Sequence, residues 1–170
     1  MMSTSLALLV GLVGLALIFD FLNGLHDAAN SIATVVSTRV LSPHAAVVWA
    51  AGFNFIAFLF FGLHVAQTMG TGLISAAIVD WRVVFGALMG AITWNLITWW
   101  GAIPSSSSHA LIGGLLGAGT AKGGTGAIVW SGVLKTVGAI ALSPLIGFLL
   151  ALMLVPVSYT HLTLPTNREV

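Results

Sequence analysis

Charge is what this sequence has least of. Of its 170 residues only 5% are Asp, Glu, Lys or Arg, against 58% that are hydrophobic; a soluble domain carries about 25% charged residues. So few charges cannot cover a surface in water, and most of the outside must face lipid. The net charge of +1 offers nucleic acid no basic face, so no such partner is expected. Cysteine is absent, which excludes disulfides, zinc thiolate sites and thiol nucleophiles. A nucleophile–base–orienter set is missing too, since the serines beside His109 lack a placed acid. The chain is therefore not read as an enzyme, and no cofactor or metal site is expected.

What the sequence does have is long apolar runs. A spanning helix needs about 20 such residues. Residues 6–22 come close, and the pattern resumes after a polar knot over residues 28–41. No basic residue precedes the first run and no A-x-A site follows it, so it reads as a retained helix rather than a cleaved signal. Residues 43–66 make a clear span. Residues 67–82, with glycines and the pair Asp80 and Arg82, read as a loop with a short interfacial helix. Residues 83–103 span again and carry Trp94, Trp99 and Trp100 near the end, as suits a membrane–water interface.

Residues 104–121 are short and glycine-rich. They predict a re-entrant or broken helix, tolerated at membrane depth where protein or water covers its backbone. Residues 126–154 form the last span, with Lys135 inside it and a kink expected at Pro144. Simple alternation puts Arg39 and Lys122 on one side and Arg82 on the other, which favours an outside N-terminus. From Val157 the membrane pattern stops, and residues 157–166 resemble a translated sequencing-library adapter. The expected division is a transmembrane part over 1–156 and a non-native, adapter-derived tail over 157–170.

Two polar clusters interrupt the apolar background. The first is Asn23-Gly24-Leu25-His26-Asp27-Ala28-Ala29-Asn30-Ser31. An Asp inside a membrane segment costs about 2.5–3.5 kcal/mol on insertion scales. Gly24 permits backbone angles that break a helix. The cluster therefore predicts a discontinuous helix whose second half starts near His26 or Asp27 and points free N–H groups at an anion. Asp27 and Asn30 stand three apart on one face of that half, as oxygen ligands for a cation travelling with the anion. The plainer alternative is that Asp27 caps a helix and pairs with Arg39 or another polar group. Asp20 is either a second functional acid or the partner of a basic group.

The second cluster is Pro104-Ser105-Ser106-Ser107-Ser108-His109. Consecutive hydroxyls and backbone N–H groups at a helix start make an oxyanion cradle without net positive charge. That suits transport, which needs binding weak enough to release. The plainer alternative is a serine-rich cap. His44 reads as solvated in a loop and His64 as interfacial. Gly113, Gly114, Gly117 and Gly119 read as small-residue spacing for close helix packing, not as a nucleotide loop. Asn54 and Asn95 read as hydrogen-bonding between helices.

These residues carry a resemblance. Phe21-Leu22-Asn23-Gly24-Leu25-His26-Asp27-Ala28-Ala29-Asn30-Ser31-Ile32-Ala33-Thr34 resembles the N-terminal signature of the PiT inorganic phosphate transporters. Trp94-Asn95-Leu96, then Pro104 to Gly113, resembles that family's second block, and Ser143-Pro144-Leu145-Ile146-Gly147-Phe148 fits as well. The resemblance implies an all-α membrane protein: a transmembrane helix bundle with a broken first helix and a re-entrant hairpin, one half of an inverted-repeat transporter. It implies phosphate held between the halves by Asp27, Asn30, Ser106, Ser107 and Ser108. The candidates for the coupling ion are Asn23, His26, Asp27 and His109.

Many members have Asn where this chain has His26. The His–Asp form resembles bacterial members that couple phosphate to protons or carry a metal–phosphate complex, rather than use sodium. The implied function is secondary active symport of inorganic phosphate with a proton or cation, in the bacterial inner membrane. The implied partners are the lipid bilayer, the missing C-terminal half of the carrier and a second copy in a homodimer. A permease for sulfate or another oxyanion, and a non-transporting helix module, are the alternatives.

Overall fold

The computed structural model describes residues 5–61 and 72–162. Among these residues five α-helices follow in order: α1 (Leu6–Ser37), α2 (Pro43–Phe61), α3 (Trp81–Trp100), α4 (Ser107–Gly123) and α5 (Trp130–Leu162). Short 3-10 turns at Ala76–Ile78 and Thr125–Ala127 precede α3 and α5. Among the described residues the only extended pairing is an isolated antiparallel bridge between Ile74 and Ile128.

Side-chain oxygens set four of the helix starts. Ser5 accepts from the Leu8 N–H, and Ser42 accepts from the Ala45 N–H just before Pro43, a residue suited to the first turn. Asp80 accepts from the N–H groups of Arg82 and Val83, and Ser106 from that of His109. His44, expected in a loop, is an exposed residue of the first turn of α2.

The expected break in the first helix is not there. α1 runs without interruption through Asn23, Gly24 and Asp27, and among the described glycines only Gly124 has a positive φ. One glycine in a helix costs about 1 kcal/mol relative to alanine, which the ladder of its neighbours absorbs. Asp27 is thus no helix cap, and α1 has no second N-terminus there to face an anion. At about 1.5 Å per residue, the 32 residues of α1 exceed the roughly 30 Å of a bilayer's hydrocarbon.

The chain divides into two units, residues 1–129 and 130–170. The centre of the first is α3. Its residues Val83, Ala87, Ala91, Asn95 and Thr98 are buried at helical spacing, with Leu88 and Ile92 beside them. α4 packs back along this face, and α1 lies against α2 and α3. Close approach depends on one glycine above all: a Cβ at Gly114 would collide with the Ala87 carbonyl oxygen. Gly86 and Gly90 of α3 face Ala118 and Gly114 of α4 in ordinary contact. The four glycines expected to serve packing therefore divide: Gly114 and Gly119 are in tight contact, whereas nothing lies within 4 Å of a Cβ at Gly113 or Gly117.

The base of the α3–α4 hairpin is knitted together. Ser75 N–H donates to the Ala127 carbonyl at 2.8 Å and Val129 N–H to that of Leu73 at 2.9 Å. Ile74, fully buried, presses on Gly119. Lys122 near the end of α4 bonds the Asp80 carboxylate at 2.7 Å and the Ile78 carbonyl oxygen at 2.8 Å. That bond from Lys122, with the Val83 N–H, holds the Asp80 carboxyl below the usual carboxylate range. Arg82, the neighbour the sequence offers, instead lies over the Trp81 ring at 5.2 Å.

The second unit is α5, with Pro144 and Pro156 inside it. It continues past residue 157 as far as Leu162; residues 163–170 and His64 lie outside the described residues. Among the described residues three helices are long and apolar enough to cross a membrane: α1, α3 and residues Trp130–Pro156 of α5. Their outward Leu, Val, Ile and Phe side chains are largely exposed, which a lipid surround accommodates.

Candidate functional site

The first cluster becomes a polar stripe on an unbroken helix. Asn23, His26, Asp27 and Asn30 fall at spacings of three and four, hence along one side of α1. His26 and Asn23 are half-buried, Asp27 and Asn30 exposed. The Asn23 Oδ1 is buried without a hydrogen-bond partner. Ser31 turns its hydroxyl back to the Asp27 carbonyl at 2.8 Å. The Asp27 carboxylate is therefore presented by the body of a helix, not by its end.

The second cluster is the tip of the α3–α4 hairpin. Residues 101–106 turn the chain, with Ala102 at φ 50, the left-handed region that costs a residue with a Cβ about 1–2 kcal/mol. Trp94 steadies the turn: its indole N–H donates to the Ser105 hydroxyl at 3.0 Å. Ser106 caps α4, so here the plainer reading of a serine cap holds for one residue of the run. Ser107 differs. It is 1% exposed and its Oγ has no partner. Ser108 and His109 are exposed.

The first-turn N–H groups of Ser107 and Ser108 precede any intrahelical acceptor; those of His109 and Ala110 go to the Ser106 hydroxyl and carbonyl. A helix start with two uncommitted N–H groups and hydroxyls around them can donate to an oxyanion.

One residue acquires a weight the sequence reading did not give it. Asn95 was expected to hydrogen-bond between helices, yet it is 0% exposed and neither side-chain amide atom has a partner. Thr98, equally buried, turns its hydroxyl back to the carbonyls of Trp94 and Asn95. The signal for Asn95 was in the sequence: it continues the four-residue step from Ala87 and Ala91, which puts it on the packed side of α3. Beside it, Trp94, His109, Ala110, Gly113 and Gly117 help to line an open groove of about 640 Å³ between α3 and α4.

Elsewhere α1 meets the start of α3. Leu8, Leu12 and Leu15 line a second cavity with Trp81 and Phe85. Among the described residues no group of three His, Asp or Glu could hold a metal ion.

The sequence pattern of the phosphate transporter family matches residues 23–168. The chain belongs to that family. A probable low-affinity inorganic phosphate transporter of Rhizobium meliloti is 73% identical over 148 residues, 87% of this chain and 44% of the relative. One from Bacillus subtilis is 44% identical, over 90% of this chain and 46% of its own length. The low-affinity inorganic phosphate transporter PitA of Escherichia coli is 38% identical, over 87% and 32%. A solved structure described as the sodium-dependent phosphate transporter superposes with a TM-score of 0.84 at 29% identity, over 91% of this chain and 40% of that one. The chain thus spans less than half the length of these relatives.

Proposed function

We propose that this chain forms the N-terminal half of an inorganic phosphate carrier, and that phosphate meets it at the hairpin tip. The observation that carries this reading is the start of α4, where the Ser107 hydroxyl is buried without a partner beside two uncommitted N–H groups. A buried hydroxyl left unpaired costs about 1–3 kcal/mol, and an oxyanion arriving there relieves it. Ser106 contributes through the cap, Ser107 and Ser108 through direct donation. No arginine stands in the cradle, so the bound anion keeps a route out.

Asp27 and Asn30 act at the same depth. Leu8, Leu12 and Leu15 of α1 share a cavity with Trp81 and Phe85 at the start of α3. A parallel course of the two helices from there, at about 1.5 Å per residue, would bring residues 23–30 level with the α3–α4 turn. In this arrangement the tip is re-entrant, an inverted second half supplies the matching stripe and tip, and phosphate binds between the two. Asp27 and His26 hold the proton or cation that accompanies the anion, with Asn23, Asn30 and His109 as further ligands. Residues 157–170 take no part, as an adapter-derived tail, and the carrier resides in the bacterial inner membrane as a multi-pass protein.

Coupling by a proton rather than sodium rests on His26, half-buried on the stripe beside Asp27. Imidazole is the side chain whose charge changes near neutral pH, and a proton gained with the anion and lost on release moves with it. The test is uptake into proteoliposomes by a full-length carrier containing this sequence, with sodium and pH gradients imposed separately. Uptake that follows the pH gradient without sodium supports the reading; uptake that needs sodium and ignores pH overturns it. Excess sulfate is expected to leave uptake unchanged, and strong competition would point to a broader oxyanion site.

A further inference from the structure

The ion pair at the base of the hairpin has no role in holding an anion, yet its geometry connects it to the tip. Asp80 serves two helices at once. Its Oδ1 caps α3 through the N–H groups of Arg82 and Val83, each at 3.1 Å, while its Oδ2 takes the Lys122 ammonium at 2.7 Å. Lys122 also ties the Ile78 carbonyl oxygen, so the end of α4 is fastened to the start of α3 and to the turn before it. Halfway along α4, Gly114 backs on the Ala87 carbonyl too closely to admit a Cβ. The other end of α4 is the serine tip. From Ser107 to Lys122 the helix is about 22 Å long at 1.5 Å per residue, with the Gly114 contact near its middle.

A helix of this length moves as a rod. Held against α3 at its midpoint and clamped at its base, it has one orientation for its tip. With the ion pair opened, the base keeps the packing of Ile74 on Gly119 and the backbone bonds of Leu73 and Ser75 to Val129 and Ala127. It loses its charged tie, so α4 gains freedom to tilt about Gly114 and shift Ser107 and Ser108. We infer that Asp80 and Lys122 are positioning residues for anion binding: their ion pair fixes the angle of α4 on α3, and so the place of the serine cradle. This rests on the proposed phosphate site. An ordinary exposed pair with these side chains, 36% and 39% exposed, would contribute little to stability, so a large effect at the far end would mark the clamp as more than a surface contact.

The pair can be opened without disturbing the helix start. Asp80→Asn keeps an oxygen that caps α3 and removes the charge; Lys122→Met removes the partner, and Lys122→Arg retains it. The experiment uses a full-length carrier freed of native thiols, with Ile103→Cys at the exposed turn; this chain itself has no cysteine to replace. Two quantities are read: the KM for phosphate in proteoliposomes, and the rate at which the thiol reacts with a charged maleimide.

The clamp predicts a KM about three- to tenfold higher in Asp80→Asn and Lys122→Met at similar kcat. It also predicts a labelling rate shifted several-fold, recovery in Lys122→Arg, and a double variant no worse than either single one. Unchanged KM and labelling, or effects of the two substitutions that simply add, would overturn it. If the carrier moves no phosphate at all, the proposed function fails, and the labelling rates still decide whether the ion pair controls the tip.

Discussion

Ser106 and Ser107 are neighbours with opposite assignments, and that difference can be measured. Ser106 accepts from the His109 N–H, so Ser106→Ala should lower helix stability by about 1 kcal/mol, visible as a lower melting temperature in detergent. Ser107 buries a hydroxyl that has no partner. Ser107→Ala should leave the melting temperature unchanged or raised, while phosphate binding weakens about three- to tenfold through the loss of one donor. Asn95 follows the same logic, since Asn95→Leu keeps the volume and removes two unpaired polar atoms. The chain should fold at least as well, and the carrier should lose uptake. If uptake is retained, Asn95 only packs.

Asp80 supplies a pH dependence at the same scale. Because Lys122 lowers its pKa in the folded chain, its contribution to stability is fully present above the ordinary carboxylate pKa. That contribution is lost only as pH falls through the lowered value. Solvent screens so exposed a pair, so melting curves of the native chain and Asp80→Asn should differ only slightly at neutral and mildly acid pH and converge in strong acid.

At the scale of elements, adjacent glycines on α4 separate two kinds of contact. Gly114→Ala drives a Cβ into the Ala87 carbonyl and should destabilise the hairpin by about 1–3 kcal/mol. Gly113→Ala meets nothing within 4 Å and should stabilise the isolated chain by up to about 1 kcal/mol through helix propensity. Thermal melts of the two variants check the pair.

Much of this layer was legible in the sequence. The spans of α1, α3 and α5 were visible as apolar runs, and the helix start at Ser107 as a serine run before apolar residues. The run over 43–66 is described only as far as Phe61. The fate of Gly24 was not: whether one glycine breaks a helix depends on the neighbours that hold the ladder, and here they do. Nor could the partner of Asp80 be read, because a contact between Asp80 and Lys122 follows no local period. The burial of Asn95 was readable from its place on the small-residue side of α3, but not its lack of a hydrogen-bond partner, which depends on how α4 lies against it.

At the scale of the whole molecule, this chain is, on the proposed reading, half of a carrier with half of its site. The chain covers 44% of its Rhizobium relative, and the stripe of α1 and the tip of α4 are polar surfaces in an otherwise apolar protein. The charge in that stripe is that of Asp27, exposed on the body of an unbroken helix. An intramembrane carboxylate this costly to insert is expected to act in transport rather than in folding. The direct measurement is uptake of radiolabelled phosphate by proteoliposomes holding equal amounts of a full-length carrier containing this sequence or its Asp27→Asn variant. Accumulation is expected with Asp27 and background uptake with Asn at the same level of inserted protein; equal uptake by the two would remove Asp27 from the transport site.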